Sequence, residues 1–139
     1  MEIKLSEKVK ITNPQEIAKI FQQILKSENQ IDQEKEHFWV VGLNARDIIK
    51  YLELVSLGTL NSNLVHPREV FRLAIFKGVA QIIIGHNHPS GEPEPSEDDL
   101  EITARLKKAG KIIGIEVVDH IIITDDNNNY VSFKDKGLI

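Results

Sequence analysis

The sequence predicts an α/β (α+β) protein, a sandwich in which helices flank a mixed β-sheet. Helical patterns and strand-like runs follow one another along the chain in the order α-β-β-α-β-α-β-β-β. One short run, Val79 to Gly85, is rich in β-branched residues, as expected for a central strand. Ile, Leu, Val and Phe account for 47 of the 139 residues, which is enough apolar surface for the core of one domain.

The first predicted helix begins close to residue 13. Asn13 suits the N-cap position, Pro14 suits the first helical position, and Glu16 completes a capping box. The apolar residues that follow recur at helical spacing, so the helix should have one apolar face. The residues of this face are Ile17, Ile20, Phe21, Ile24 and Leu25.

Two strands and a second helix are predicted next. After a polar stretch at 27–35, residues 37–43 have the composition of a buried strand. A β-rich run at 48–56 predicts a neighbouring strand, which Gly58 ends. A helix should then extend from His66 to a stop at Gly78.

The last part of the chain begins with a segment that should be a loop. Residues 86–95 contain three of the five prolines and no other apolar side chain. A third helix is predicted from about Ser96 to Ala109, ended by Gly110. Three strands should close the chain, at 112–118, 121–124 and 130–133.

Composition and charge exclude several classes of protein. The chain has 17 Lys and Arg against 21 Asp and Glu, a net charge of −4, which does not favour a protein that grips a phosphate backbone. Cysteine is absent, so thiolate metal sites and the zinc nucleobase deaminases, whose signature includes a cysteine pair, are excluded. No apolar run could span a bilayer and no signal peptide is evident, so we expect a cytoplasmic protein with no membrane partner.

A candidate metal site follows the predicted central strand, at the sheet edge where α/β proteins bind ligands. His86 and His88 are two residues apart, so in an extended chain their side chains point the same way. Pro89 favours that extended conformation at His88. Two imidazoles and an oxygen ligand suit zinc, with a fourth position left for water. The acids at 97–99 offer the oxygen, although they equally suit the first turn of a helix capped by Ser96.

This pattern resembles a known motif. His86 and His88 with Pro89, then six residues, then Ser96 and Asp99 three positions on, form the signature of the JAMM metalloprotease motif of the JAB/MPN superfamily. The chain resembles the bacterial RadC branch most closely, from about residue 13 to the end. The stretches that carry the resemblance are 58–61 with 65–69, 86–91 with 95–96, and Asp119 with His120.

The resemblance implies the domain organisation. Family members adopt a cytidine-deaminase-like fold, which agrees with the predicted order of elements. Residues 1–139 would form a single RadC-like JAMM domain, with an N-terminal helical segment at 1–35 and a metal-binding core at 36–139. Full-length members carry an additional region similar to helix-hairpin-helix DNA-binding domains, and we expect no such region before the first strand here.

The resemblance also implies a zinc-dependent metallopeptidase or isopeptidase, with one Zn²⁺ per chain and a peptide or protein as substrate. Glu36 would act as general base and acid toward the zinc-bound water, with Glu34 as the second choice. Ser96 would hydrogen-bond the developing oxyanion. The zinc ligands would be His86, His88 and Asp99.

Several polar residues are expected to support this site. Asn87 should brace the loop, and His66 and Asp119 are candidates to hydrogen-bond a ligating imidazole. We expect His37 to be exposed or hydrogen-bonded, and His120 to make a structural hydrogen bond.

Two other functions stay open. RadC proteins carry a DNA-repair label, so the chain could be a DNA-associated accessory factor; it could also be a non-catalytic interaction module. The basic cluster near the end of the third helix is expected to be a solvated helix end rather than a DNA site, because cations there complement the helix dipole. Whether the chain forms a homodimer is left open. The cluster consists of Arg105, Lys107, Lys108 and Lys111.

Overall fold

The structure is a computed structural model that describes residues 1–4, 9–61 and 63–139. Residues 5–8, which belong to the predicted N-terminal segment, and Ser62 lie outside the described residues. The described chain forms one mixed sheet with helices on both faces, which confirms the predicted fold class. The strands are β1 (Glu2–Ile3), β2 (His37–Leu43), β3 (Ile49–Leu57), β4 (Gln81–Asn87), β5 (Glu116–Ile123) and β6 (Tyr130–Ser132). The helices are α1 (Pro14–Lys26), α2 (Gln30–Gln33), α3 (Pro67–Val70), α4 (Arg72–Lys77) and α5 (Glu97–Ile113).

The order of strands in the sheet places the end of β4 beside the start of α5. The order is β1-β3-β2-β4-β5-β6, and all neighbours are antiparallel except β4 and β5. A parallel pair needs a crossover connection, and α5 supplies it. Because α5 must run back along the sheet before β5 begins, its first turn lies at the edge where β4 ends. This edge carries the predicted metal ligands.

Alternating side chains of the central strands build two apolar layers. In β2, Phe38 and Val40 face the layer under α3, α4 and α5, while Trp39 and Val41 face the layer under α1. Helix α1 docks through Phe21, whose ring stacks on Trp39 with centroids 5.2 Å apart. Among the described residues, no helix has the length and apolar character that crossing a membrane requires.

The contact between α1 and the sheet depends on a glycine in β4. Gly85 lies directly beneath the Phe21 ring, and a Cβ atom built at this position would come within 2.3 Å of a ring carbon. We expect Gly85→Ala to lower the free energy of unfolding by about 1–3 kcal/mol, because an overpacked core must shift to make room. Urea denaturation measures this change.

The double variant tests whether Phe21 is the obstacle. In a Phe21→Leu background the space above position 85 is larger, so Gly85→Ala should cost less there than in the wild type. If the cost were the same in both backgrounds, the proposed clash with Phe21 would be wrong.

Strand β4 extends further than the sequence predicts. A loop is predicted from residue 86, but His86 pairs with Phe38 and Asn87 pairs with Ile123, so both residues belong to the strand. They are 2% and 1% exposed. Polar residues are unfavourable in a buried strand unless partners offset the cost of desolvation, and those partners come from parts of the chain distant in sequence.

Helix α5 also passes its predicted end. Gly110 is predicted to stop the helix, but α5 continues to Ile113 and ends at Gly114, which has a positive φ of 79°. Gly110 is required for close packing instead, since a Cβ atom there would lie 2.3 Å from the Ile115 carbonyl oxygen. The strand predicted to start at residue 112 therefore starts at Glu116.

The remaining strands and helices differ from the predicted ones in three smaller ways. The two strands predicted at 112–118 and 121–124 form the single strand β5, because Asp119 and His120 interrupt the apolar pattern but are buried and hydrogen-bonded. The helix predicted from 66 to 78 is divided at Phe71 into α3 and α4. The sequence does not predict β1 or α2, which are too short to show a periodic pattern.

Candidate metal centre and catalytic cleft

Two imidazoles and one carboxylate converge at the end of β4. One ligand atom from each of His86, His88 and Asp99 lies within 4.8 Å of the others. His86 Nδ1 is 3.2 Å from Asp99 Oδ1, and His88 Nε2 is 3.0 Å from Asp99 Oδ2. The two rings are nearly perpendicular, at 83° with centroids 4.6 Å apart. The structure therefore brings together the three residues that the sequence analysis names as metal ligands.

Local backbone structure fixes each of these side chains. His86 belongs to β4, and the His88 N–H donates to the Ile123 carbonyl of β5 at 2.9 Å. Asp99 occupies the third position of α5, where its carboxylate accepts from the Ser96 N–H at 2.9 Å and its own N–H donates to the Ser96 hydroxyl at 3.1 Å. This complete capping box holds the Asp99 carboxylate toward the histidines.

The hydrogen bond at His88 Nδ1 indicates that a second proton or a metal ion is needed between Nε2 and Asp99. His88 Nδ1 lies 2.8 Å from the Glu92 carbonyl oxygen, which can only accept, so Nδ1 carries a proton. In a neutral imidazole Nε2 then presents a lone pair, which would face the Asp99 carboxylate oxygen at 3.0 Å. A second proton or a metal ion between the two atoms makes this contact favourable.

The surroundings of His86 fit a metal ion equally well. The ring is 2% exposed, and neither of its nitrogens has a hydrogen-bond partner among the residues that the structure describes. Its Nδ1 is close to the Asp99 carboxylate but is not aligned for a hydrogen bond. An unsatisfied buried imidazole is costly, and coordination to a cation satisfies it. Two imidazoles and a carboxylate are a donor set typical of catalytic zinc sites with one position open.

The charges of Asp99 and His88 stabilise each other. Burial favours the neutral form of the Asp99 carboxyl, but the contacts with His86 and His88 outweigh burial and hold its pKa well below the usual range. Burial favours neutral His88, but Asp99 and the Glu92 carbonyl outweigh it and raise the pKa of His88 above 6.5. In the absence of metal, these contacts therefore favour the protonated form of His88 beside the Asp99 carboxylate.

The raised pKa of His88 predicts how the stability of the metal-free protein depends on pH. His88 has a higher pKa in the folded chain than its unperturbed value of 6.5, so its stabilising contribution is complete below pH 6.5 and is lost as the pH rises through the raised value. We expect the free energy of unfolding, measured with urea in the presence of a chelator, to fall over that range. The fall should be absent in His88→Gln. An equal fall in this variant would assign the dependence to another group.

His120 lies behind the cluster as a neutral, buried ring. It is fully buried, and its Nδ1 lies 2.6 Å from the Thr103 hydroxyl, which itself donates to the Asp99 carbonyl at 2.8 Å. Burial, followed by the nearby His86, lowers the pKa of His120 to about 3. The expected structural hydrogen bond of His120 is thus present. It ties β5 to the turn of α5 that carries Asp99.

Glu36 lies in the same cleft as the cluster. The cleft has a volume of about 270 Å³ and is lined by Glu36, Ser96 and the three clustered residues, among others. The Glu36 Oε2 atom accepts from the Leu60 N–H at 2.6 Å. Glu34 follows α2 and lines a different cavity, on the other side of His88. Of the two glutamates that the sequence offers, the structure places Glu36 in the cleft.

The Asn87 side chain holds the segment that contains Glu36 against the end of β4, beside His86, His88 and Asp99. Its Oδ1 accepts from the His37 N–H, and its Nδ2 donates to the Lys35 carbonyl at 3.0 Å. One side chain, located between the two histidines, therefore holds the residues on both sides of Glu36. His37 is buried and its Nε2 hydrogen-bonds the Glu28 carboxylate, so it is hydrogen-bonded but not exposed.

Removal of the Asn87 side-chain amide should weaken the attachment of the Glu36 segment to β4. We expect Asn87→Ala to lower the free energy of unfolding by about 1–3 kcal/mol, because the buried His37 N–H loses its acceptor. Hydrogen exchange at the His37 amide should accelerate in the same variant. Asn128→Ala, at an exposed asparagine outside the cleft, serves as the control and should change neither measurement. Unchanged protection of the His37 amide in Asn87→Ala would contradict this role.

Two of the expected supporting residues bind elsewhere. The Asp119 carboxylate accepts from the Ser132 hydroxyl at 2.6 Å and from the Lys134 N–H at 2.9 Å, so it holds the segment after β6. His66 occupies the N-cap of α3 without a capping hydrogen bond from its side chain. In the described parts of the chain, neither residue hydrogen-bonds the imidazole of His86 or His88. The Glu92 carbonyl serves His88 instead, and a backbone contact of this kind leaves no signal in the sequence.

Comparison with known proteins gives one family and several relatives. A family model described as the RadC-like JAB domain matches residues 11–138. A UPF0758 protein of Clostridium acetobutylicum is 50% identical over 133 residues, which cover 96% of this chain and 55% of the relative. A UPF0758 protein of Clostridium botulinum (strain Langeland) is 48% identical over 136 residues, 98% of this chain and 57% of the relative.

A relative from another genus gives a similar result. A UPF0758 protein of Desulforamulus reducens is 52% identical over 108 residues, which cover 78% of this chain and 47% of the relative. The chain thus spans about half the length of the curated relatives it matches. The names of these relatives do not state an activity.

Proposed function

We propose that this chain, which belongs to the family of RadC-like JAB domains, is a zinc-dependent hydrolase of amide bonds, a metallopeptidase or isopeptidase. The observation that carries the proposal is the convergence, in one cleft, of a donor set suited to a metal with a carboxylate suited to proton transfer. The donors are His86, His88 and Asp99, and the carboxylate is Glu36.

The metal would be held by the two imidazoles and the Asp99 carboxylate. When bound there, zinc supplies Lewis-acid chemistry, which polarises a carbonyl group and lowers the pKa of water from about 15.7 to about 7. The side chains of Asp99 and His88 would move little on metal binding, because the capping box and the Glu92 carbonyl already orient them. The buried position of His86 and Asp99 strengthens the electrostatic interactions in the site.

Glu36 would transfer the proton. The Leu60 N–H holds Glu36 Oε2, so Oε1 would accept the proton from the attacking water. The same carboxyl would then donate that proton to the amine nitrogen as the amide C–N bond breaks. Water adds its oxygen to the acyl carbon, and its two hydrogens end on the acid and amine products. The bond from Leu60 would orient the carboxylate during both transfers.

Ser96 would stabilise the charge that develops on the substrate. Its hydroxyl oxygen accepts from the Asp99 N–H, which leaves its hydroxyl hydrogen available to donate into the cleft. A hydrogen bond to the substrate carbonyl oxygen would strengthen as negative charge accumulates there. Ser96 would then both cap α5 and assist the reaction.

An activity screen tests the proposal. The protein, loaded with one equivalent of Zn²⁺ and verified by metal analysis, is incubated with libraries of linear peptides and of lysine-linked isopeptides, and products are identified by mass spectrometry. We expect cleavage that a chelator removes and added Zn²⁺ restores. Absence of cleavage in both libraries by fully loaded protein would contradict the proposal. A gel shift with duplex and branched DNA at physiological salt tests the accessory-factor alternative, which tight binding would favour.

A further inference from the structure

A separate cavity runs along α5, and the proposed reaction does not use it. It has a volume of about 810 Å³, three times that of the catalytic cleft. It begins at Leu100, one residue after a metal ligand, and reaches Gly114 beyond the other end of the helix. We call it the α5 groove. The apolar residues that line it are Ala80, Leu100, Ala104, Ile115, Val117 and Leu138.

Three lysines of the α5 groove give one end a positive charge. Lys107, Lys108 and Lys111 line the groove toward the C-terminal end of α5, and all three are exposed; Glu116, also exposed, is the one acid among the described lining residues, so the positive charge prevails. None of the three lysines takes part in the ion pairs formed within the described residues. The chain as a whole carries a net charge of −4, so this local charge is opposite in sign. It favours an occupant that carries carboxylates at this end.

The groove also borders an open strand edge. Strand β6 pairs with β5 at Ile121–Ile123, and the Phe133 N–H donates to the His120 carbonyl; among the described residues, no strand pairs with residues 116–119 on that side. The Glu116 N–H donates to the Ala80 carbonyl, toward β4. Because backbone groups of successive residues in a regular strand point to opposite edges, the N–H and C=O of Val117 should point away from β4, just before the irregularity that follows Val117 in the ladder. Val117 lines the α5 groove, so an extended chain there could pair with it.

We propose that the α5 groove binds an extended peptide segment of a partner protein, with apolar side chains in the groove and Asp or Glu residues opposite the three lysines. Addition of a strand to an open sheet edge is a common mode of peptide recognition. Duplex DNA fits these features less well, because its phosphates gain nothing from an apolar floor. A second copy of the chain that used the same groove fits less well too, since the described residues that line it include one acid, Glu116, against three lysines.

Selection from a random decapeptide display library tests the proposal on the 139-residue chain. We expect enriched peptides to alternate apolar and other residues and to carry acids near one end. A synthetic, fluorescent copy of the most enriched peptide is then titrated by anisotropy. Its affinity should fall about tenfold for the triple variant Lys107→Glu, Lys108→Glu and Lys111→Glu, because each lost ion pair contributes modestly. Ala104→Arg, which fills the groove, should also weaken binding.

A matched charge reversal provides the control. Lys10→Glu, Lys19→Glu and Lys50→Glu together make the same change in net charge at exposed lysines outside the groove, and this variant should bind the peptide like the wild type. Enrichment of no acidic peptide, or equal binding by both triple variants, would overturn the proposal. A DNA shift or a dimer that only the groove variant abolishes would also overturn it, in favour of that occupant. Urea denaturation verifies that each variant is folded. The measurement involves no catalysis, so its failure is distinct from a failure of the proposed hydrolase activity.

Discussion

Asp99→Asn is expected to abolish stoichiometric zinc binding while leaving the fold intact. Asp99 is the residue that contacts both imidazoles, one with each carboxylate oxygen. Asparagine keeps the shape and can still accept from the Ser96 N–H, so the helix cap should persist. It lacks the negative charge that the cation requires. Since even the partners of metal ligands contribute 10–100-fold to affinity, we expect a loss of more than about 100-fold.

Two measurements quantify this loss. Zinc affinity is obtained by competition with a chromophoric chelator, and metal content by mass spectrometry of the purified protein. Zinc should also stabilise the wild type, by about 2.7 kcal/mol at a free concentration 100 times the dissociation constant. Asp99→Asn should show none of this stabilisation.

Asp98→Asn is the matched control. Asp98 is the preceding residue, lines the same cleft and is exposed, so the substitution removes the same charge without removing a proposed ligand. We expect its zinc affinity to stay within a factor of a few of the wild type. Retention of one zinc by Asp99→Asn, or equal losses in both variants, would mean that general electrostatics rather than coordination holds the metal.

The candidate site could be anticipated from sequence because its signals are local. Two histidines two residues apart, with a proline after the second, suggest convergent side chains whatever the rest of the fold does. The Ser96 capping signal likewise predicts where α5 begins, and with it the position of Asp99. Each of these inferences needs fewer than fifteen consecutive residues. The structure agrees with them because nothing distant competes with the local preference.

Features that depend on distant contacts could not be anticipated in the same way. The continuation of β4 through Asn87 depends on bonds to residues 35 and 37, about fifty positions earlier. The passage of α5 through Gly110 depends on how closely the Ile115 carbonyl approaches. Neither contact can be predicted from the spacing of apolar residues in the sequence. The choice of Glu36 over Glu34 came from family resemblance, and physical reasoning alone left both residues on one face of an extended chain.

Glu36→Gln tests that choice, and we expect it to reduce the rate of amide hydrolysis by about 10²–10⁴-fold without loss of zinc. Glutamine can still accept from the Leu60 N–H through its carbonyl oxygen, so the side chain should keep its place. It cannot take a proton from water at neutral pH. The rate is measured with the peptide cleaved most rapidly in the library screen, and metal content is measured on the same sample.

Glu34→Gln is the control that separates general-base catalysis from a change in local charge. Glu34 is two residues away but lines a cavity on the other side of His88, so its substitution should leave the rate nearly unchanged. A fall in kcat confined to Glu36→Gln, with equal zinc content in both variants, would identify the group that moves the proton. If Glu36→Gln kept full turnover, the assigned general base would be wrong even though the metal site were right. Metal binding and proton transfer can therefore be tested separately, because Asp99 and Glu36 reach the cleft from different parts of the fold. Each side chain can be replaced while the other is kept.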